Sequence, residues 1–319
     1  MKLLPSWFAR IGSLSLVFAL IACSGPSSQD ERSSSGKNLK VVTTFLPITL
    51  FTEAVAGDCA TVTSLIPANL GPHDFQATPA DISAVGKAQV LVKNGLDMEH
   101  FLDKLVDSAD NSSLIVVDSS RGVATIDSTE GDHHDDHSHG HGHSHGEVNP
   151  HIWLDPLRAV QQVENIRDGL VKADPGCAED FKSNAATYTS QLKELNTEFT
   201  KQLKPYAGKT FVAFHDFAPY FAQRYDLKAE YVVDLPEMNP SPADLQRVAA
   251  EVKASQLKAI LSEPQEGSAS FNALAKDLGV NVVEFNPLET GSEASSRKPQ
   301  TYLDVMRKNV SNLIKALGG

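Results

Sequence analysis

From Leu39 onwards, short runs of β-branched residues alternate with stretches of helical character. Such runs predict strands, and the order strand, helix, strand predicts a parallel sheet. The alternation recurs after residue 206, so we predict an α/β protein of two similar lobes, each a small parallel sheet flanked by helices. The eight predicted strands are Val41–Phe45, Val62–Ile66, Val90–Lys93, Leu114–Val117, Thr210–Phe214, Glu230–Val233, Ala259–Ser262 and Val282–Phe285.

A long helix is predicted between the two lobes. Apolar residues recur at spacings of three and four from Phe181 to Leu203, and Pro205 ends the pattern. Roughly 25 residues at 1.5 Å each give a length on the order of 37 Å, enough for a rigid backbone joining both lobes. A packing helix inside one domain is the alternative. The predicted organisation is an N-terminal lobe of residues 39–176, a connecting helix of 177–205 and a C-terminal lobe of 206–319.

Two similar tetrapeptides support related halves. Thr78-Pro79-Ala80-Asp81 and Ser241-Pro242-Ala243-Asp244 each place a hydroxyl before a proline and an acid at the third helical position. This pattern is typical of a helix start, because the hydroxyl caps the helix and the acid meets its dipole.

The N-terminus predicts export. Residues 1–22 contain two bases, no acids and the apolar run 11–22, which is too short to cross a bilayer and reads as a signal peptide. The segment Leu20-Ile21-Ala22-Cys23 resembles the lipobox of bacterial lipoproteins, so Cys23 is the predicted lipidation site; a cleaved signal with a chance cysteine is the alternative. Residues 23–38 form the predicted flexible tether. We expect a periplasmic or extracytoplasmic protein, lipid-anchored to a bacterial membrane that it contacts through the anchor only.

Composition narrows the class of partner. Apolar residues make up 41% and charged residues 21%, which argues against a disordered chain and a multi-span membrane protein. The net charge of −12 would repel phosphate backbones, so no nucleic-acid partner is expected.

Cys59 and Cys177 remain after the signal peptide; an even count in an oxidising compartment permits one disulfide, and two separate buried thiols are the alternative.

The histidines carry most of the functional information. Seven of the eleven lie in a loop of residues 131–146, among Gly, Ser and Asp that cannot build a core. Neutral imidazole is a metal ligand near pH 7, so we predict an accessory metal-binding element. Its histidines are His133, His134, His137, His139, His141, His143 and His145.

Three further histidines each follow a strand end or lie in a loop. In open α/β sheets ligands bind at that edge, and a junction of two lobes supplies a cleft. His73, His151 and His215 would there form a set of three nitrogens that suits Zn²⁺ with one position left to fill. Any one of them alone would more often be structural, and His100, inside a predicted helix, is assigned to that class.

The residues around these histidines resemble a known family, the zinc-specific solute-binding proteins of ABC transporters, which have manganese-binding relatives. The likeness covers nearly the whole chain after Gly36, including the long helix and the histidine loop. It implies that His73, His151 and His215 are the primary ligands of Zn²⁺. A manganese relative is expected to carry a carboxylate in place of His215, so histidine there favours zinc. The motifs are Pro72-His73-Asp74, Asn149-Pro150-His151-Ile152-Trp153-Leu154-Asp155-Pro156, Ala213-Phe214-His215 and Leu261-Ser262-Glu263-Pro264-Gln265.

The chain departs from this family at one position. An aspartate commonly precedes the Pro-Leu after the last strand, whereas this chain has Asn286-Pro287-Leu288. An amide oxygen is a weaker ligand than a carboxylate, so water, Asn286 or a nearby acid such as Glu263 is the candidate for the fourth position. A carboxylate outside the ligand set is expected to orient a ligand ring.

The resulting expectation is a non-enzymatic monomer that captures Zn²⁺ with high affinity and hands it to an ABC transporter permease. The histidine loop would either raise the local zinc supply or sense zinc abundance. One alternative is a zinc-dependent hydrolase with a three-histidine site, although the sequence contains no His-Glu-x-x-His signature. The other alternative is a surface adhesin.

Overall fold

The computed structural model describes residues 39–73, 75–127, 148–236, 238–264 and 269–318. The predicted signal peptide, Cys23, the tether and the seven loop histidines lie outside the described residues. Within the described ranges, no helix has both the length and the apolar character that crossing a bilayer would need.

The N-terminal half contains four parallel strands and the helices that cover them. The order of the strands across the sheet is β2-β1-β3-β4, and Val41 of the central β1 lies opposite both Val62 and Val90. Val90, Leu91 and Val92 of β3 are completely buried, as expected for a strand of a parallel sheet covered on both faces. In chain order the elements are β1 (Leu39–Thr43), α1 (Leu46–Ala56), β2 (Ala60–Ser64), α2 (Pro79–Gly86), β3 (Val90–Lys93), α3 (Leu102–Ala109), β4 (Ile115–Asp118) and α4 (Pro156–Ala173).

The C-terminal half begins after the long helix α5 (Ala178–Leu203). Its strands pair in parallel as two ladders, β5 with β6 and β7 with β8. All eight predicted strands are present, with bounds shifted by at most two residues. The elements are β5 (Thr210–His215), α6 (Pro219–Arg224), β6 (Lys228–Val233), α7 (Pro242–Ala254), β7 (Ala259–Ser262), α8 (Ala269–Leu278), β8 (Asn281–Glu284) and α9 (Gln300–Ala316).

The two similar tetrapeptides start helices, as predicted. Thr78 precedes α2 and Ser241 precedes α7, and in each case a proline occupies the first turn. The backbone N–H of Thr78 donates to the Asp81 carboxylate at 2.7 Å, and that of Ser241 donates to Asp244 at 2.8 Å. These reciprocal bonds form capping boxes, which satisfy backbone donors that a helix start leaves free.

Helix α5 has 26 residues and is therefore about 39 Å long. It packs against α1 and α4 of the N-terminal half and against α9 of the C-terminal half, so it contributes to one core shared by both halves. All seven apolar positions that predicted this helix are buried: Phe181, Ala185, Tyr188, Leu192, Leu195, Phe199 and Leu203.

A disulfide between Cys59 and Cys177 fixes the beginning of α5. Cys59 immediately precedes β2, Cys177 immediately precedes α5, and their Cα atoms are 6.2 Å apart. The pairing is the first of the two alternatives that the cysteine count left open. It ties the start of the long helix to the end of the sheet where β1 and β2 begin.

Candidate metal centre

Five polar side chains lie near the ends of strands, at the edge where the two halves meet. His215 is the last residue of β5, and Glu263 directly follows β7. His73 lies in the loop between β2 and α2, and Glu289 lies in the loop between β8 and α9. His151 precedes a short 3₁₀ turn, Ile152–Leu154, that leads into α4. The N-terminal half thus supplies His73 and His151, and the C-terminal half supplies the other three.

Four of these residues bring one ligand atom each to a common point. The ligand atoms of His73, His151, His215 and Glu289 all lie within 4.8 Å of one another. Glu289 Oε1 is 3.5, 3.0 and 3.3 Å from the Nε2 atoms of His73, His151 and His215, respectively. The Nε2 atoms of His151 and His215 are 3.4 Å apart. His73 is the most exposed of the four, with 8% of its side chain accessible.

Four of the six separations between these ligand atoms fit a tetrahedral metal site. Zinc binds imidazole nitrogen at about 2.0–2.1 Å, and a regular tetrahedron with that radius has edges of about 3.3–3.4 Å. The four separations above range from 3.0 to 3.5 Å. Three imidazole nitrogens and one carboxylate oxygen also form a donor set that suits zinc. The cluster is therefore able to hold a four-coordinate Zn²⁺ ion.

Glu289, the carboxylate in this cluster, was not singled out from the sequence, which left water or a nearby acid open for the fourth position and named Asn286 and Glu263 as candidates. The structure places neither of them in the cluster. Asn286 instead uses its side-chain oxygen to accept a hydrogen bond from the Leu288 backbone N–H at 2.7 Å. Leu288 has a left-handed backbone conformation with φ of +66°. The turn made by Asn286 and Leu288 directs the next residue, Glu289, toward the histidines.

A second contact holds the Glu289 loop against the N-terminal half. The Gly291 backbone N–H donates to the Ala68 carbonyl at 2.6 Å. A Cβ atom at Gly291 would lie 2.8 Å from Leu46 Cδ2, so a larger residue there would require the Leu46 side chain to shift. In the sequence, Glu289 is marked only as an acid five residues after the end of β8. The turn that buries it depends on contacts with residues far away in the chain.

Each of two cluster histidines is oriented by a buried polar side chain. Glu263 accepts from the His215 backbone N–H at 3.0 Å and lies 2.6 Å from His215 Nδ1. Asn149 Oδ1 accepts from the His151 backbone N–H at 3.0 Å and lies 2.9 Å from His151 Nδ1. Asn149 in turn donates to the Asp216 carbonyl at 2.8 Å. With each Nδ1 engaged in this way, Nε2 of both rings faces the cluster.

The two fully buried histidine rings, His151 and His215, differ in pKa. Burial dominates at His151 and lowers its pKa to about 4. Burial also opposes a charge on His215, but the carboxylates of Glu263 and Glu289 outweigh it and raise its pKa well above 6.5. Burial would raise the pKa of Glu289, but His215 and His73 lower it well below 4.5. Without metal, the cluster therefore contains an ionised Glu289 beside a protonated His215.

Further contacts fasten the His151 segment to the C-terminal half. The Trp153 indole N–H donates to the Pro287 carbonyl at 2.7 Å, and the Tyr302 hydroxyl donates to the Trp153 carbonyl at 2.7 Å. Asp155 accepts from Arg224 at 2.9 and 2.7 Å. The spacing between the ligand loops thus rests on bonds between the halves. His100, by contrast, is exposed, lies 3.2 Å from Asp97 and does not belong to the cluster.

Comparison with known proteins identifies the family. The family described as "ZnuA: Zinc-uptake complex component A periplasmic" matches residues 41–316. The zinc-binding lipoprotein AdcA of Streptococcus pneumoniae R6 is 34% identical over 304 residues, covering 95% of this chain and 59% of AdcA. The high-affinity zinc uptake system protein ZnuA of Bacillus subtilis is 32% identical over 302 residues, covering 94% of each.

A solved structure extends the likeness to three dimensions. The Zn(II)-bound ZnuA-like domain of Streptococcus pneumoniae AdcA has a TM-score of 0.74 and 32% identity, covering 89% of this chain and 100% of that domain. The descriptions of these relatives name zinc binding or zinc uptake. The chain therefore belongs to the ZnuA family, the periplasmic component A of zinc-uptake complexes.

Proposed function

We propose that this chain captures Zn²⁺ with high affinity outside the cytoplasm and delivers it to the permease of an ABC transporter. The observation that carries this proposal is the convergence of four ligand atoms, three imidazole nitrogens and one carboxylate oxygen, within 4.8 Å of one another. Family membership supports the transport role, and the donor chemistry supports zinc as the cargo.

The charges around the site favour a divalent cation. A buried ion is stable only when nearby charges and dipoles compensate for its lost hydration. Glu289 would bind the ion directly, and Glu263 would act through His215, so the two carboxylates balance the two positive charges of Zn²⁺. Because both halves supply ligands, the ion also adds a bridge between them.

The predicted partners and location follow the same proposal. We infer that Cys23 carries the lipid anchor, that the folded body is a monomer, and that the membrane contact needed for its location is that anchor. The resemblance to AdcA, described as a lipoprotein, supports this inference. A transporter permease is the partner that would receive the ion.

The histidine loop is proposed as an accessory zinc element. Its two ends are held together: Asp127 and Val148 form an antiparallel bridge, and the Asn149 N–H donates to the Ile126 carbonyl at 3.0 Å. Asn149 also contacts His151, so the loop begins and ends beside the cluster. This position suits either zinc collection or zinc sensing. Serine at all seven loop histidines should leave one tight zinc site, the cluster. Loss of all zinc binding in this variant would refute the assignment of an accessory role to the loop and of the capture role to the cluster.

Single alanine substitutions at His73, His151 and His215 test the capture site. Zinc affinity, measured by competition with a chelator of known affinity in the loop variant, should fall by more than the 10–100-fold typical of outer-shell groups. His100→Ala is the matched control because His100 lies outside the cluster, and it should leave affinity unchanged. Unchanged affinity for a cluster variant would exclude that residue as a ligand.

A further inference from the structure

The C-terminal half carries eight exposed lysines at one end, which we call the lysine pole. In an α/β fold the helices run back against the strands, so the ends of α5, α7, α8 and α9 lie where β5, β6 and β7 begin. Four of the lysines are in the last turns of those helices, and the others lie at strand starts or in the turn after α5. They are Lys201, Lys204, Lys209, Lys228, Lys253, Lys258, Lys276 and Lys315.

Helix dipoles explain only part of this set. A lysine in the last turn of a helix is stabilised by the negative end of the dipole, which accounts for the four helix-end residues. It does not account for Lys209, Lys228 and Lys258, which lie at the starts of three strands. A second cause is therefore needed for the gathering of positive charge.

The pole is strongly positive in an acidic protein. The acids at the same end are Asp226, Glu230, Glu251 and Asp277, so eight bases against four acids leave a local charge of +4 in a chain of net charge −12. Among the described residues, ion pairs occupy Lys93, Lys182 and Lys308, but none includes a lysine of the pole. No described ion pair therefore neutralises the charge of these eight lysines.

The centre of the pole is concave. A depression of about 330 Å³ is lined by Lys209, Lys228 and Lys258, together with Ser255 and Gln256. Lys209 donates to the Leu317 carbonyl at 2.8 Å, which holds its ammonium group at the rim. The depression has the size of a small-ligand site and offers hydroxyl, amide and ammonium donors, which suit a phosphate group.

We propose that the lysine pole docks on the anionic phospholipid surface of the membrane to which the chain is tethered. Anionic headgroups attract clustered lysines within about a Debye length, whereas they repel the acidic remainder of the protein. Lysine suits this partner because its flexible ammonium group acts as a point charge toward many phosphates. This inference goes beyond zinc capture, adds a second membrane contact to the anchor-only contact predicted from the sequence, and depends on the predicted anchor at Cys23.

The length of the tether permits such docking. Helix α5 separates the pole from the start of β1 by about 39 Å. The fifteen residues 24–38 span at most about 50 Å when extended, so Cys23 is able to reach the same membrane. In this orientation the strand ends of the C-terminal half point away from the lipid.

Lysine footprinting on vesicles tests the proposal. The full chain is reconstituted into vesicles of phosphatidylcholine alone or of equal parts phosphatidylcholine and phosphatidylglycerol, then acetylated and analysed by mass spectrometry. Lysines of the pole should react several-fold more slowly on the anionic vesicles, and 0.5 M salt should abolish the difference. The exposed Lys87, Lys104 and Lys172 of the N-terminal half are internal controls and should react equally on both.

Charge reversal gives a second measurement. K209E/K228E/K258E should remove the protection of the remaining pole lysines, since each lysine near an anionic surface changes partitioning about fivefold. K87E/K104E/K172E makes the same change in net charge and should retain the protection of the pole lysines. Equal reactivity on both vesicle types, or equal protection of control lysines, would overturn the proposal. Protection by soluble inorganic polyphosphate but not by anionic vesicles would also overturn it, in favour of a soluble polyanion.

Discussion

Glu263 holds His215 by two hydrogen bonds, one from the backbone N–H at 3.0 Å and one with ring Nδ1 at 2.6 Å. His215 is completely buried and Glu263 is 3% exposed. The pair fixes the ring position and leaves Nε2 facing Glu289 and the other histidines. The affinity for zinc should therefore depend on a residue that does not touch the ion.

Replacing Glu263 with Gln should lower the zinc affinity by about 10–100-fold, the usual effect of an outer-shell partner. A glutamine offers one acceptor where His215 presents two donors, so the ring loses its fixed orientation. Chelator competition measures the change, and circular dichroism checks the fold. Glu194→Gln, on the exposed face of α5, is the matched control. Affinity within twofold of the wild type would contradict the positioning role.

Asn286 and Glu289 should respond differently to substitution. Glu289→Gln removes a proposed ligand of the ion. It should weaken zinc binding by more than 100-fold, because a group that binds the ion contributes more than an outer-shell group, whose loss costs about 10–100-fold. Asn286→Ala removes only the acceptor for the Leu288 N–H and should have the smaller effect. Chelator competition on both variants ranks them. A larger loss for Asn286→Ala would return that residue to the ligand set.

Zinc binding at pH 7 should release about one proton. The pKa of His215 in the metal-free protein is raised well above 6.5 by Glu263 and Glu289, despite burial, and zinc requires the neutral ring. Below that pKa the zinc affinity should rise about tenfold for each unit of pH. Calorimetry of the loop variant in buffers of different ionisation enthalpy measures the proton. An apparent enthalpy independent of the buffer would contradict a protonated His215.

The same pKa shift predicts how zinc stabilises the fold. A raised folded-state pKa gives the metal-free protein a stabilisation that is complete below pH 6.5 and is lost as pH rises through that pKa. The rise in Tm caused by zinc should therefore grow with pH above 6.5. A constant difference in Tm across that range would count against the linkage.

Removing the disulfide should change stability but not zinc binding. The bond closes a separation of 118 residues, so its loss should lower the free energy of unfolding by about 2–5 kcal/mol. It lies where β1 and β2 begin, whereas the cluster lies beyond the strand ends. Urea unfolding of Cys59→Ala/Cys177→Ala measures stability, and reduced wild-type protein should show the same loss. A parallel drop in zinc affinity would indicate that the disulfide shapes the site.

The periodic parts of the structure were predictable from the sequence. The buried runs Val90–Lys93 and Ala259–Ser262 have the predicted bounds, and the spacing of apolar residues predicted α5. Local patterns of this kind reflect burial on one face or on both faces of an element. The histidines that converge were also predicted, because each follows a strand end or lies in a loop and the residues around them resemble a known family.

Glu289 could not be identified in this way. Acids in loops are common, and nothing in the local sequence separates Glu289 from the exposed Glu293. Its burial depends on the Asn286 turn and on the bond between Gly291 and Ala68, which joins residues far apart in the chain. Long-range backbone contacts of this kind have no periodic signature. The same reason explains why Asn149 was not recognised as the residue that orients His151.

X-ray diffraction with anomalous scattering at the zinc edge, from crystals containing one equivalent of zinc, tests the capture site most directly. We predict a single ion about 2.0–2.1 Å from the Nε2 atoms of His73, His151 and His215, with Glu289 Oε1 completing a tetrahedron. An ion held by other residues, or a coordination shell without ligands from both halves of the chain, would contradict the proposed mode of zinc capture.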